Sequence, residues 1–294
     1  MALVRKLSGS ATASKETEPK AKPVRAKLQL SLETELSTPP ASLTDYSWLI
    51  YGRKKIGKTT LAAQFPGAYF LSTEPGTKAL RVLGSACPTW EHFTGYIDLL
   101  CKEANPERTV IVDVIDFAYD MIYRKVCDQQ MVESPTDMND FGATWKKIRR
   151  LFREQLMRLV TRPGGVVFLS HDTEKEVELR DGSKVERVQP TMSSQAMGEV
   201  EGLVDVIGLY EYHDEGRILR IDGTTRMLAG CRLNEHFKYT DGSRMSDVPM
   251  GANETEAWEN LNAAFRNEFD APPPPQKKEL RKVPSAKPSL SLKK

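Results

Sequence analysis

The run Gly52-Arg53-Lys54-Lys55-Ile56-Gly57-Lys58-Thr59 leaves this chain few folds to choose from. It satisfies G-x-x-x-x-G-K-[ST] at every fixed place, with a compact apolar segment, Ser47 to Tyr51, before it and a helical pattern, Lys58 to Gln64, after it. That context is what a phosphate-binding loop needs. The glycines let the backbone turn tightly enough for successive amide hydrogens to surround phosphate oxygens, and the start of the helix adds positive potential. In such a loop Lys58 reaches the β and γ phosphates and the Thr59 hydroxyl takes one Mg²⁺ position. Residues 52–60, Thr60 included, are therefore the candidate binding segment for ATP with Mg²⁺.

The surroundings of the loop define the fold class. Ala68 to Ser72, Thr109 to Ile115 and Gly165 to Ser170 are short, apolar and β-rich, as strands covered on both faces should be. Between them Thr89 to Ala104, Phe117 to Gln129 and Asp140 to Thr161 carry apolar residues at helical spacing. Strands alternating with helices indicate an α/β fold with a mainly parallel central sheet flanked by helices. Further on, Glu176 to Leu179 and Val185 to Val188 flank an Asp181-Gly182 turn and read as a hairpin, Leu203 to Tyr210 and Arg217 to Ile221 as strands, and Glu254 to Phe269 as a closing helix.

The two ends differ from this middle. From Ala271 the chain runs through Pro272 to Pro275 into a segment whose seven basic residues, Lys277 to Lys294, face one acid, Glu279, although the whole chain carries only +2. A Pro-rich spacer leading into a basic disordered arm is expected there, able to touch nucleic acid or an acidic partner, or simply to solubilise. The first 43 residues are rich in Ala, Ser, Thr, Lys, Glu and Pro, and Leu28, Leu30, Leu32 and Leu36 are a possible short strand within them. The expected organisation is thus a flexible segment 1–43, a catalytic domain 44–270 and a tail 271–294. No apolar run approaches the roughly 20 residues that a bilayer crossing needs, and the N-terminus lacks a secretory h-region, so a cytoplasmic location without membrane contact is expected. Cys87, Cys101, Cys127 and Cys231 are too far apart for a zinc or redox pair and read as reduced thiols.

A phosphate-binding loop needs a second acid for its metal, and Asp113 at the end of the apolar run Thr109 to Asp113 supplies it. Asp116, three residues on, reads as the N-cap of the next helix. Many P-loop ATPases place a catalytic Glu directly after the metal-binding Asp, but here Val114 follows, so the water-activating carboxylate must come from elsewhere. Glu74, just past the strand at Ala68 to Ser72, is well placed for it.

With these pieces assembled, residues from about Trp48 to Arg232 resemble the RecA-type ATPase core. The closer resemblance is to phage RecA-like nucleotide-binding proteins, AAA-family ATPases of single-strand annealing and recombination. It is carried by the loop, by Glu74 after its strand, by Asp140-Phe141-Gly142 with Trp145, by Leu169-Ser170-His171 with Glu174 and Lys175, by Gln189-Pro190 and by Gly230-Cys231-Arg232. Ser72-Thr73 and Cys231 stand where that group often has an acidic residue. The resemblance implies that Glu74 polarises the attacking water, that His171 senses the γ-phosphate, and that the segment from Asp172 to Ala196, with Lys175, Arg180, Lys184 and Arg187, meets single-stranded DNA. Five acids interrupt that basic run, so a solvated hairpin explains it about as well. The resemblance also implies a homo-oligomer, in which Arg226 or Arg232 could reach a neighbour's γ-phosphate, although ordinary surface salt bridges explain both arginines almost as well; replication or recombination proteins could meet the tails. Two readings stay open: a DNA-associated ATPase, or an ATP-binding interaction or loader module with little hydrolysis. A small-molecule kinase is a weaker third, since nothing resembles a phosphoacceptor lid.

Overall fold

The computed structural model describes residues 32, 34–103, 105–214 and 216–272. The expected basic arm at Lys277 to Lys294, most of the Pro-rich spacer, and Leu28 and Leu30 lie outside the described residues. Ten strands form the sheet: β1 (Ser47–Gly52), β2 (Tyr69–Ser72), β3 (Leu83–Ala86), β4 (Val110–Asp113), β5 (Val166–Glu178), β6 (Lys184–Pro190), β7 (Val206–His213), β8 (Gly216–Arg220), β9 (Gly230–Cys231) and β10 (Asp247–Gly251). Their order is β10-β8-β7-β1-β5-β4-β2-β3, with β6 paired to β5 and β9 to β7. From β7 through β1, β5, β4 and β2 to β3 every pairing is parallel, and β8 and β10 extend one side antiparallel.

Helices cover both faces, which explains why the central strands read as unbroken apolar runs. Trp48 and Ile50 point to a cluster containing Leu61 of α1 (Lys58–Ala62) and Leu261 and Phe265 of α6 (Glu254–Phe265). Leu49 and Tyr51 point the other way, to a cluster built on α2 (Trp90–Glu103), α3 (Ile115–Gln130), α4 (Ala143–Thr161) and α5 (Ser194–Glu201). Successive strand residues face opposite sides, so each face of β1 is buried by a different set of helices.

Local chemistry sets the helix starts. The Asp140 carboxylate accepts hydrogen bonds from the amides of Gly142, Ala143 and Thr144 at 3.0, 3.1 and 2.8 Å, so Asp140-Phe141-Gly142 acts as the cap of α4. Asn253 caps α6 in the same manner. Asp116 is not an N-cap: α3 starts at Ile115 after Val114, which leaves Asp116 inside the first turn with its side chain free to look back at the sheet.

Several elements differ from the sequence expectation. The strand from Gly165 continues eight residues past Ser170 to Glu178, because its outer half pairs with β6 rather than with the buried sheet. β3, β10 and α5 lack long apolar runs; β3 is an edge strand that exposes Leu83, and β10 needs only Val248 and Met250 inward. All four cysteines are free, with Cys87 and Cys127 buried. Among the described residues no helix is long and apolar enough to cross a membrane.

Phe152 of α4 is fully buried, and the Tyr119 ring of α3 meets it edge-on at 5.1 Å between centroids. Phe152→Ala should lower unfolding free energy by about 3–5 kcal/mol, read by urea titration, because the cavity lies between two helices that cannot both move in. A loss below about 1 kcal/mol would show that this layer is not tightly packed.

Candidate functional site

The phosphate loop leaves the sheet at the C-terminal end of β1, and two glycines give it its shape. Gly52 has φ 155°, and a side-chain carbon there would lie 2.1 Å from the Tyr210 carbonyl oxygen of β7, so only glycine lets the loop start this close to its neighbour. Gly57, at φ 109°, turns the chain into α1. Ile56 is buried and anchors the loop from below, while Arg53, Lys54 and Lys55 are exposed on its rim.

Lys58 is 5% exposed. Its ammonium donates to the Gly52 and Arg53 carbonyls at 2.6 and 2.9 Å and lies 3.5 Å from His171 Nδ1. Burial lowers its pKa, while the carboxylates of Asp172, Asp113, Glu74 and Asp116 oppose that shift. A cation held by loop carbonyls is poised to exchange them for phosphate oxygens.

Asp113 comes to the loop from two strands away, since β5 lies between β1 and β4. The Thr59 hydroxyl bridges that gap by donating to Asp113 Oδ2 at 3.0 Å. Hydroxyl and carboxylate are hard oxygen donors suited to Mg²⁺, and they leave most of its octahedron to water and phosphate. Asp113 is 1% exposed, and burial raises its pKa to about 6, with the Thr59 hydrogen bond lowering it and Glu74 raising it further. Such a carboxylate gains from a divalent cation beside it, so the residues fit the ion.

Glu74 is held at the end of β2 by ties to the end of β4. The amides of Thr73 and Glu74 donate to the Asp113 carbonyl at 2.9 and 3.4 Å, and the Thr73 hydroxyl both donates to the Val114 carbonyl and accepts from the Val114 amide. The Asp113–Val114 peptide is cis. Thr73, which the sequence offered only as a departure from an acidic residue, is thus the clasp that sets Glu74. The Glu74 carboxylate stands 3.6 Å from His171 Nε2. His171 sits opposite Gly52 in the β1 and β5 register. Burial and the Lys58 charge lower its pKa, against the raising effect of Glu74 and Asp116, so the ring is neutral at pH 7 and its contact with Glu74 is not an ion pair.

The fold therefore brings the loop, Lys58, Thr59, Asp113, Glu74 and His171 to one edge. Asp116 joins them from the side: its Oδ1 accepts from the Ser170 hydroxyl at 3.1 Å and from the Thr191 hydroxyl, while its Oδ2 is buried without a partner. Asp116, His171, Thr191 and Lys54 line a cleft of about 270 Å³ next to the loop. A larger cleft of about 610 Å³ opens between α2 and α3, where Trp90, Phe117 and Arg124 line it, but it lacks the loop and its lysine. Arg232 is not at this edge. Its guanidinium donates to the Glu201 and Gly202 carbonyls near the start of β7, the opposite end of the sheet from Gly52. Arg226 is exposed, and its carbonyl accepts from the Val188 amide.

Residues 44–233 match the AAA domain, which is more than half of the 294-residue chain. The chain belongs to the AAA domain family. AAA domains are P-loop nucleotide-binding modules, generally ATPases that take ATP with Mg²⁺, and the match covers every strand from β1 to β9. Among curated proteins no relative matches the chain.

The raised Asp113 pKa has a measurable consequence in this AAA domain. The folded value of about 6 exceeds the ordinary 3.8, so the folded state holds the proton more tightly and stability falls as pH rises from about 4 to about 6, then levels off. Without nucleotide or Mg²⁺, the wild type should lose roughly 3 kcal/mol across that window relative to Asp113→Asn, whose amide does not titrate. Parallel urea titrations of the two proteins from pH 4 to 7.5 measure it; equal pH dependence would contradict the burial effect.

Proposed function

We propose that this AAA domain is a RecA-like, Mg-ATP-dependent ATPase that acts on single-stranded DNA in recombination, annealing or replication, in phage-type machinery. The observation that carries the RecA-like part is the position of Glu74. The carboxylate stands at the end of the strand beside β4, not next to Asp113 in sequence, yet within 3.6 Å of His171 at the loop. A water on the open side of a γ-phosphate seated in the loop would meet this carboxylate first.

In this reading the loop amides and Lys58 hold the β and γ phosphates, and Lys58 offsets the charge that gathers on the transferring group. Glu74 takes the proton of the attacking water as the water oxygen bonds to the γ phosphorus, while the bond from that phosphorus to the β–γ bridging oxygen breaks and ADP leaves. Neutral His171 can donate one hydrogen bond to the γ-phosphate and lose it on hydrolysis, which gives β5 two positions to pass on to the β5–β6 hairpin. Thr59 and Asp113 would hold Mg²⁺, which when bound neutralises phosphate charge.

Support for the DNA step is chemical and rests on fewer groups. The β5–β6 hairpin presents Lys175 and Arg180 as exposed cations without an ion pair among the described residues, whereas Lys184 pairs with Glu176 at 2.6 Å and the Arg187 side chain donates to the Thr225 carbonyl. Two free cations contact phosphates without reading sequence. The acids along the same hairpin favour a second reading, an ATP-binding interaction or loader module with slow turnover. Assembly into a homo-oligomer, and contacts of the tails with replication or recombination proteins, belong to the first reading.

Glu74→Gln should keep ATP affinity within about threefold while hydrolysis falls by two orders of magnitude or more, because an amide can hydrogen-bond but is a poor base. Equilibrium binding and phosphate release on the same preparation measure both; normal turnover would move the base to Asp116 or to a neighbouring subunit. For the nucleic-acid step, anisotropy titrations of single-stranded DNA over a salt series should show affinity that rises with ATP and falls steeply with salt. No binding at low salt in either nucleotide state would favour the loader reading.

A further inference from the structure

The loop has a second flank. On one side stand Glu74, Asp113 and His171, and on the other β7 and β8 bring Tyr210 and Arg217 beside it. Gly52 abuts the Tyr210 backbone, and Arg217 lies across the hairpin from Tyr212, its guanidinium carbon 5.8 Å from the Tyr212 ring centre. A side-chain carbon on Gly57 would sit 3.6 Å from Arg217 Nη1 and 3.6 Å from Thr60 Oγ1, so the guanidinium stands beside Gly57, on the side of the loop where the Thr60 hydroxyl also lies.

Two arginines of β8 show what is unusual here. Arg220 is clamped between Glu211 and Asp247. Arg217 is partly buried yet has no carboxylate partner within 4.0 Å among the described residues. A partly buried cation beside a phosphate loop, with no carboxylate paired to it among the described residues, is free to take an anion there. The planar fork of a guanidinium matches phosphate oxygens in pairs, and low local solvation strengthens such a pair.

Its place in the site decides which phosphate. Glu74 and His171 mark the end where the terminal phosphate reacts, so the nucleotide runs from them across the loop, and its inner phosphate and nucleoside come to the opposite flank. We propose that Arg217 is a nucleotide-binding residue supplied from within the same chain, which holds the nucleoside-side phosphate of a bound adenosine di- or triphosphate. The assignment rests on the ATPase reading of the loop and adds to it a contact that does not distinguish ATP from ADP. The Tyr212 ring, in a residue 55% exposed, lies under the guanidinium.

The test is calorimetric titration of ATP and of ADP, each with Mg²⁺, into the full-length wild type, Arg217→Ala, Arg217→Lys and Lys58→Ala. Arg217→Ala should weaken ATP and ADP by the same factor, about tenfold to a hundredfold, with Arg217→Lys between it and the wild type. Thermal melting without nucleotide controls for a merely structural role, which would lower the melting temperature and leave both affinities in place. Unchanged affinities in Arg217→Ala would overturn the inference, as would a loss for ATP alone, which would put the guanidinium at the γ end. If Arg217→Ala does not fold, Arg217→Lys decides: a shared loss for ATP and ADP supports the contact, and wild-type affinities overturn it. A wild type that binds neither nucleotide, or that binds both as well as Lys58→Ala does, would instead overturn the ATPase reading beneath it.

Discussion

The in-register parallel pairing of β1, β5, β4 and β2 is the constraint on which the rest of this site depends. Gly52 lies opposite His171, Leu169 opposite Asp113, and Asp113 opposite Ser72, two residues before Glu74. Because the strands run the same way, and β1, β4 and β2 end at the edge that β5 crosses at His171, the four residues Gly52, Glu74, Asp113 and His171, more than 100 positions apart at the extremes, arrive there together. A slip of one residue in any pairing would turn an alternate set of side chains into the core and remove an acid or the histidine from the edge. The helices on both faces fix that register, since each strand has an apolar residue for each cluster.

What the edge carries is charge kept out of water. Lys58 and Asp113 are both nearly inaccessible, and both are shifted toward their neutral forms by burial. Burying the two charges costs stability, and a triphosphate with its cation would relieve both costs at once. The site therefore suits a ligand whose charges compensate that burial. Ligand binding should correspondingly stabilise the fold by mass action.

The two flanks of the loop divide the work. The β2, β4 and β5 flank holds the titratable groups Glu74, Asp113 and His171, and the β7 and β8 flank holds permanent charge and aromatic rings. His171 joins the first flank to the β5–β6 hairpin, because β5 runs straight from the buried sheet into the exposed ladder with no break at the site. Under the proposed function, a change at the γ-phosphate end would have a continuous element along which to travel.

Much of this was legible in the residues alone. The loop, the α/β class, Asp113 at a strand end and Glu74 past another follow from motif spacing and from strands too apolar to face water, and these are local properties of a sequence. Other features depend on partners far along the chain. Asp116 reads as a helix cap until Ser170 and Thr191, 54 and 75 residues away, are seen to hold it. Thr73 reads as a departure from an acidic pattern until its hydroxyl is seen to clasp Val114. Arg232 ends a family-like motif, yet β9 pairs at the start of β7 and puts it at the far end of the sheet. Arg217 carries no local signal at all, since its place beside Gly57 exists only once β8 folds back on β7 next to the loop. Sequence spacing determined which chemistry this chain possesses; strand order and register, set by burying both faces of one sheet, decided which of its charges meet.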